Sequence, residues 1–308
     1  NPYLTMNYRY ENNILLALSK IIEKGHLSRG FKPVHWCCAC RSSLAEAEVI
    51  YKDKLSPAVD VAFKVIDTDS LVKSLKLEGK IKEIDFVIWT TTPWTLPANQ
   101  AVAVGEAIDY ILLEIDKNKG RAVWIAKDLK DDFIARLGKE DKDVSVLIEK
   151  SGEYLFSQDI KLKHPLFARE VPLVLGHHVT TESGTGCVHI APVHGEDDFL
   201  IGKEYDLPID LPVGNNGRFV DSLKEYAGLF VFDANEKIID NLNTSGVLLA
   251  HSEYEHSYPH CWRHKTPLIF RATPQWFISM NAKNLQKDSW EGIQSVKWIP
   301  SWGQKRIE

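Results

Sequence analysis

The sequence predicts a β-rich α/β chain whose barrel-like body, from about residue 48 to 250, sits between two shorter flanking segments. Three observations carry that prediction. Short runs of β-branched and aromatic residues recur through the middle of the chain with turn residues between them and few helical periods. After Pro57, Val59, Val61, Phe63 and Val65 alternate with Asp60 and Lys64, the pattern of a half-buried strand. Two knuckles, Cys37-Cys38-Ala39-Cys40 and Cys261-Trp262-Arg263-His264, mark the two ends and have no counterpart in the middle. An insertion looped out of another domain has this organisation.

In chain order, Ile14, Leu15, Leu18, Ile21 and Ile22 form one apolar stripe, which predicts a helix over residues 12–24. Asn12 or Asn13 would cap its start and Gly25 its end. Phe31 to Cys40 reads as a strand running into the first knuckle. Strands are expected at Ile84–Trp89, Ala101–Val104, Ile108–Ile115 and Ala122–Ala126, with Lys117-Asn118-Lys119-Gly120 turning a hairpin between the last two. A short helix at Asp128–Leu137 precedes strands near Val144–Ile148, Val171–Leu175 and Gly186–Ile190. One later helix starts near Gly195 and runs to about Tyr205. Another starts at Asp233-Ala234-Asn235-Glu236, a capping-box-like pattern with Asp as the cap, and stops before Gly246. Strands at Leu268–Arg271 and Trp276–Ser279 then lead into a polar helix near Asn281–Gly292.

A chain of 308 residues can bury a sizeable core and hold more than one domain. The net charge of −5 argues against a sequence-blind DNA binder, though not against a site that holds the end of a nucleic acid. No apolar run approaches a membrane span, and no signal peptide opens the chain. It begins at Asn1-Pro2-Tyr3 without Met and ends at Arg306-Ile307-Glu308, so it reads as a piece of a longer, cytoplasmic protein. Cys37, Cys38, Cys40, Cys187 and Cys261 read as metal ligands or buried thiols before disulfides.

Two stretches carry chemistry. In Trp89-Thr90-Thr91-Thr92-Pro93-Trp94-Thr95-Leu96-Pro97-Ala98-Asn99, Pro93 ends a strand and leaves three hydroxyls where backbone N–H groups lose their ladder partners. Such donors suit a carbonyl or a developing oxyanion. The structural alternative is a plain strand end and turn. In Thr185 to Phe199, a strand carrying His189 runs through a loop into a helix start with Asp197 and Asp198. The helix end lowers the cost of their charge, and capping alone is the structural alternative. The spacings of His177, His178, His189, His194 and the two aspartates match no helical metal-binding pair, so no catalytic metal is expected. Cys187 has no assignable base and reads as a buried thiol.

Taken together, the two stretches closely resemble the editing domain of isoleucyl-tRNA synthetases, the insertion called connective peptide 1. The resemblance covers nearly the whole chain: Gly30–Trp36, Leu44-Ala45-Glu46-Ala47-Glu48-Val49, Tyr258–Pro267 and Arg271–Phe277 are similar to the segments joining that insertion to the core in the bacterial form. It implies connecting segments at 1–47 and 251–308 around an editing domain at 48–250, and hydrolysis of valine wrongly esterified to tRNA for isoleucine. In the roles it implies, Asp198 holds the substrate's α-ammonium, while Thr90, Thr91, Thr92 and Asn99 hold the terminal adenosine and ester. Thr95 and His189 line the side-chain pocket. No residue stands out as a general base, so positioned water and the substrate's own ribose hydroxyl would suffice.

No cofactor is implied for editing. The signatures His-Ile-Gly-His and Lys-Met-Ser-Lys-Ser are absent from these residues, so ATP and Mg²⁺ belong to the full-length enzyme, expected to be a monomer. Cys37, Cys40, Cys261 and His264 could staple the connecting segments through zinc. Some relatives have a cysteine in place of His264, and metal-free thiols are the preferred reading. The partner implied is tRNA, with no membrane. Rival readings are a valyl-type domain clearing threonine and a module that only docks the tRNA acceptor end.

Overall fold

The structure, a computed structural model, describes residues 4–77, 81–116 and 118–308. Helix α1 (Tyr8–Glu23) is followed by β1 (Leu27–Cys37), β2 (Ser42–Ser43), the long β3 (Val49–Val65), α2 (Thr68–Ser74) and β4 (Glu83–Thr90). Next come β5 (Ala101–Val104), β6 (Asp109–Asp116), β7 (Arg121–Ala126), α3 (Lys130–Arg136), β8 (Ser145–Ser151) and α4 (Gly152–Ser157). The chain continues through β9 (Lys161–Lys163), β10 (Glu170–Leu175), β11 (Cys187–Ile190), α5 (Glu196–Glu204) and α6 (Ala234–Thr244). It closes with β12 (Leu248–Cys261), β13 (Ile269–Ile278), α7 (Leu285–Ser295) and α8 (Gln304–Ile307). Two compact units divide it: Pro33–Ala272 form one, Asn1–Lys32 with Thr273–Glu308 the other.

The larger unit is mixed and sheet-rich, as the sequence predicts. Its ten-stranded sheet runs in the order β11-β5-β10-β9-β3-β4-β7-β6-β8, with β12 paired to β3 off that path. Most pairs are antiparallel; β4–β7 and β5–β10 are parallel. Val59, Val61, Phe63 and Val65 face the main core with Phe86, Ile88 and Trp124, over which Ile238 and Leu242 of α6 pack. The other face is also covered: Val87, Ile111, Leu113 and Ile125 pack against Phe133 and Ile134 of α3. The expected half-buried strand is therefore buried on both faces through most of its second half. Asp60, read as solvent-facing, is buried, and both its oxygens accept from Arg136 at 2.8 Å. An unpaired carboxylate there would carry a desolvation cost of several kcal/mol, on the order of the burial gain of two large apolar side chains.

Other boundaries move for local reasons. Helix α1 starts a turn earlier than expected: Asn7, not Asn12 or Asn13, accepts from Arg9 N at 2.9 Å. Asp233 precedes α6 but its side chain makes no cap bond. The two strands expected after residue 268 are one, β13. Strand β12, which pairs with β3 from Val49 to Val61, has mostly polar, exposed residues in its middle and no apolar run to announce it. Lys117, first residue of the expected hairpin turn, lies outside the described residues; Asn118 and Lys119 N–H groups donate to Asp116 at 3.1 Å. In the smaller unit, α1 buries no residue, and its stripe (Ile14, Leu15, Leu18, Ile22) is exposed. No helix of the described residues is long and apolar enough to cross a membrane.

Candidate active site

Strand β4 delivers the threonines. Ile84, Phe86 and Ile88 anchor it in the core, and it stops at Thr90 because Pro93 has no donor to continue the ladder. Thr90 Oγ1 accepts from Thr92 N at 3.1 Å and shares a hydrogen bond with the Thr92 hydroxyl, also 3.1 Å. Pro93–Ala98 then wind into a 3-10 turn, with Pro93 at its first position, where the missing N–H costs nothing. Trp94 N donates into the protein, to Asn235 Oδ1 of α6 at 3.0 Å. Thr95 donates its hydroxyl hydrogen to Thr92 O at 2.9 Å.

Strand β11 brings up the second stretch. It pairs antiparallel with β5, His189 opposite Val102, and Gln100 N ties the loop's end to Ile190 O at 2.8 Å. His189 lies between the two ends of the loop: Nε2 is 2.8 Å from Thr95 Oγ1 and Nδ1 is 3.2 Å from Asn99 Nδ2. The proton can be assigned. Thr95 has spent its hydrogen on Thr92 O, so Nε2–H must donate to Thr95. Asn99 Nδ2 donates its other hydrogen to Ala101 O at 2.8 Å, which fixes the amide and makes His189 Nδ1 the acceptor. Burial, with a smaller contribution from neighbouring His194, pushes the imidazole pKa down to about 3, so the ring is neutral. With both nitrogens used, His189 is a fixed wall, not a free base.

Asp198 stands in the first turn of α5. Its Oδ2 accepts from Ala191 N at 2.8 Å, which hangs the carboxylate on the residue after β11. Burial pushes its carboxyl up to about 7; the Ala191 N–H opposes that rise and Asp197 adds to it. Gly195 makes room: a Cβ there would lie 3.0 Å from Asp198 Cγ.

Of the expected site residues, Thr90, Thr92, Thr95, Asn99 and His189 thus form one hydrogen-bonded network. Thr91 lies beside it, part-exposed, its hydroxyl without a hydrogen bond among the described residues. Asp198 reaches the same strand end through Ala191 and makes no direct bond to the threonines among those residues. Asn235, which pins the loop at Trp94, went unrecognised: the helix-start pattern pointed to Asp233, and no spacing links position 235 to position 94.

Cys187 is fully buried and its thiol is pushed up by burial. Among the described residues the one gathering of three or more metal-ligand side chains is Cys37, Cys40, Cys261 and His264, whose ligand atoms all lie within 4.8 Å of one another. The remaining histidines and the aspartates of α5 do not gather in this way.

The family described as tRNA synthetases class I (I, L, M and V) matches residues 1–308, the whole chain. The chain belongs to that family. Among its relatives, the isoleucine–tRNA ligase of Shewanella halifaxensis is 50% identical over 309 residues, which is 100% of this chain and 32% of the relative. That of Alkalilimnicola ehrlichii is 50% identical over 311 residues, again 100% and 32%. The chain thus spans about a third of the length of the synthetases it matches. Among solved structures, the editing domain of the P. falciparum cytosolic leucyl-tRNA synthetase has a TM-score of 0.48 at 12% identity, covering 65% of this chain and 99% of that one.

Proposed function

We propose that this part of a class I synthetase is the editing site of an isoleucine-specific enzyme and hydrolyses valine wrongly esterified to tRNA for isoleucine. The observation that carries the reading is the network joining Thr90, Thr92, Thr95, Asn99 and His189, with Asp198 at the end of the same strand. The ester is already activated, so the site need only hold an ammonium, a carbonyl and a water. Asp198 carries the charge that suits the ammonium, and binding a cation favours its ionised form. Thr91, whose hydroxyl is not spent inside the protein, and the threonines beside it serve the ester and its developing oxyanion. Asn99 holds the loop's far end, where the terminal adenosine would lie. Thr95 and His189, locked together, form the side-chain pocket, and its refusal of isoleucine is steric, because valine and isoleucine differ by one methylene.

Residues 48–250 form the editing domain in this reading, with 1–47 and 251–308 returning to a synthetase core. ATP and Mg²⁺ act in the remainder of the full-length, cytoplasmic, monomeric enzyme. Deacylation of valyl-, threonyl- and isoleucyl-tRNA by the chain tests the proposal. Preference for the valyl ester is expected. Preference for the threonyl ester supports a valyl-type site, and binding without turnover supports a docking module.

The knuckles support a second reading, a structural zinc. Cys40 Sγ and Cys261 Sγ are 3.9 Å apart, and His264 Nδ1 is 3.1 Å from Cys40 and 3.8 Å from Cys261. Ligands at about 2.0–2.3 Å from a tetrahedral zinc stand roughly 3.5–3.8 Å from one another. The set fits the ion, which would cross-link the two knuckles away from the threonine loop.

A further inference from the structure

The far end of the threonine loop is gripped by a segment no motif singled out. A 3-10 turn leaves its last carbonyls short of partners: here Leu96 O takes only Asn99 N, at 3.0 Å, and Pro97 O and Asn99 O take no backbone N–H among the described residues. His164, just past β9 and almost fully buried, has its Nε2 3.1 Å from Leu96 O. Its Nδ1 accepts from Leu166 N and Phe167 N, both at 3.1 Å, so the proton sits on Nε2 and points at the carbonyl. Arg169 Nη2 donates to Pro97 O at 3.1 Å and also to Asn99 O. The segment is braced to do this. His164 N donates to Arg169 O at 3.0 Å, and Phe167 stacks on His164 with centroids 5.1 Å apart. The same ring lies 5.6 Å from the Arg169 guanidinium.

Arg169 is half-buried and forms no ion pair among the described residues; Asp210 acts on it only at longer range. Its charge is spent on the negative end of a helical turn, where a cation is favoured. One of the two carbonyls it holds belongs to Asn99, whose amide fixes His189, which in turn fixes Thr95 and Thr92. We propose that Arg169, with His164 behind it, is a positioning residue for the reaction at the threonine loop, setting the Asn99 peptide and through it the His189 wall. This rests on the editing reading above.

The test is Arg169→Met, which keeps length and apolar contact but removes the donors, compared with Arg169→Lys, which can serve one carbonyl. Two readouts in the intact chain separate the questions. Amide exchange needs no substrate: Arg169→Met is expected to speed exchange at Asn99 and Gln100 while β6 and β7 exchange as before. In valyl-tRNA deacylation, kcat is expected to fall about tenfold or more with KM and melting temperature near wild type, an ångström of misplacement costing up to about a hundredfold. Lysine should recover part of the loss. Unchanged exchange and kcat in folded Arg169→Met would overturn the proposal. So would exchange rising everywhere with a falling melting temperature and no recovery by lysine. If the wild-type chain hydrolyses none of the esters, the editing reading fails by itself, and the exchange result still decides whether Arg169 orders the loop.

Discussion

Replacing His189 with alanine weighs two effects of similar size. The imidazole serves Thr95 and Asn99 at once, and both have few other options. Without it Thr95 keeps its bond to Thr92 O, but one Asn99 amide hydrogen loses its acceptor in a fully buried place. That loss costs about 1–3 kcal/mol. For a domain of this size it lowers the melting temperature by about 2–4 °C per kcal/mol. Against it stands the steric bar to isoleucine: forcing one extra methylene into a filled pocket costs about 1–3 kcal/mol. Relief of that bar is worth about 5- to 150-fold in rate, at about 1.36 kcal/mol per tenfold. His189→Ala is therefore expected to deacylate isoleucyl-tRNA about 5- to 150-fold faster than wild type and to stay within a few-fold on valyl-tRNA, with a modest drop in melting temperature. His189→Gln is the control, because its amide offers N–H to Thr95 and C=O to Asn99 at similar bulk; it should keep both stability and the refusal of isoleucine. If His189→Ala slows both esters in step with its melting temperature, the ring is only a packed core residue and the wall argument fails. If His189→Gln admits isoleucine as readily as alanine does, bulk is not what refuses it.

Three further outcomes follow from the same geometry. Asp198 is raised from its ordinary 3.8 to about 7, so the folded protein binds that proton more tightly than the unfolded chain does; its contribution therefore favours folding at low pH and is lost as pH rises from about 4 to 7. Denaturant midpoints at pH 4.5 and 7.5 should show that slope in wild type and less of it in Asp198→Asn, and equal slopes would refute the shift. Gly195 has φ −150°, which alanine tolerates, but its Cβ would press on the Asp198 carboxylate; Gly195→Ala should fold normally and lose about tenfold or more in valyl-tRNA deacylation, whereas wild-type kinetics would show that the carboxylate has room to shift without consequence. Chelation with EDTA should leave hydrolysis intact even if it strips zinc from Cys37, Cys40, Cys261 and His264 and lowers the melting temperature; loss of activity at constant fold, restored by metal, would contradict a metal-free site.

How much of this was legible depends on whether a feature is local. The threonine strand, its stop at Pro93, β5 to β8, and β11 running into α5 are written in short-range patterns of apolar residues, proline and charge, and these the sequence yields. Strand β12 is not, because its stability comes from pairing with β3 and not from an apolar face of its own. Asp60 looked solvent-facing because alternation says nothing about α3 folding over the second face and supplying Arg136. In the candidate site, the residue types at Thr90–Thr92, Thr95, Asn99, His189 and Asp198 were legible as candidates. The proton on His189 was not, since it follows from what Thr95 and Asn99 do with their own hydrogens. Asn235, His164 and Arg169 act on backbone groups of the loop from about 70 to 140 residues away, and backbone recognition leaves no side-chain motif behind.

The most direct test of the central claim is the rate of valyl-tRNA deacylation by Asp198→Ala beside wild type, with folding checked by thermal melt. In the proposed editing reaction Asp198 pairs with the substrate's ammonium, a charge-assisted contact worth about 1.5–3 kcal/mol. A loss of about 10- to 150-fold is therefore expected, while on stability the orphaned Ala191 N–H and the relief of a buried carboxylate act in opposite directions. An Asp198→Ala protein that folds and hydrolyses valyl-tRNA at the wild-type rate would contradict that pairing, and would move the ammonium site away from the start of α5.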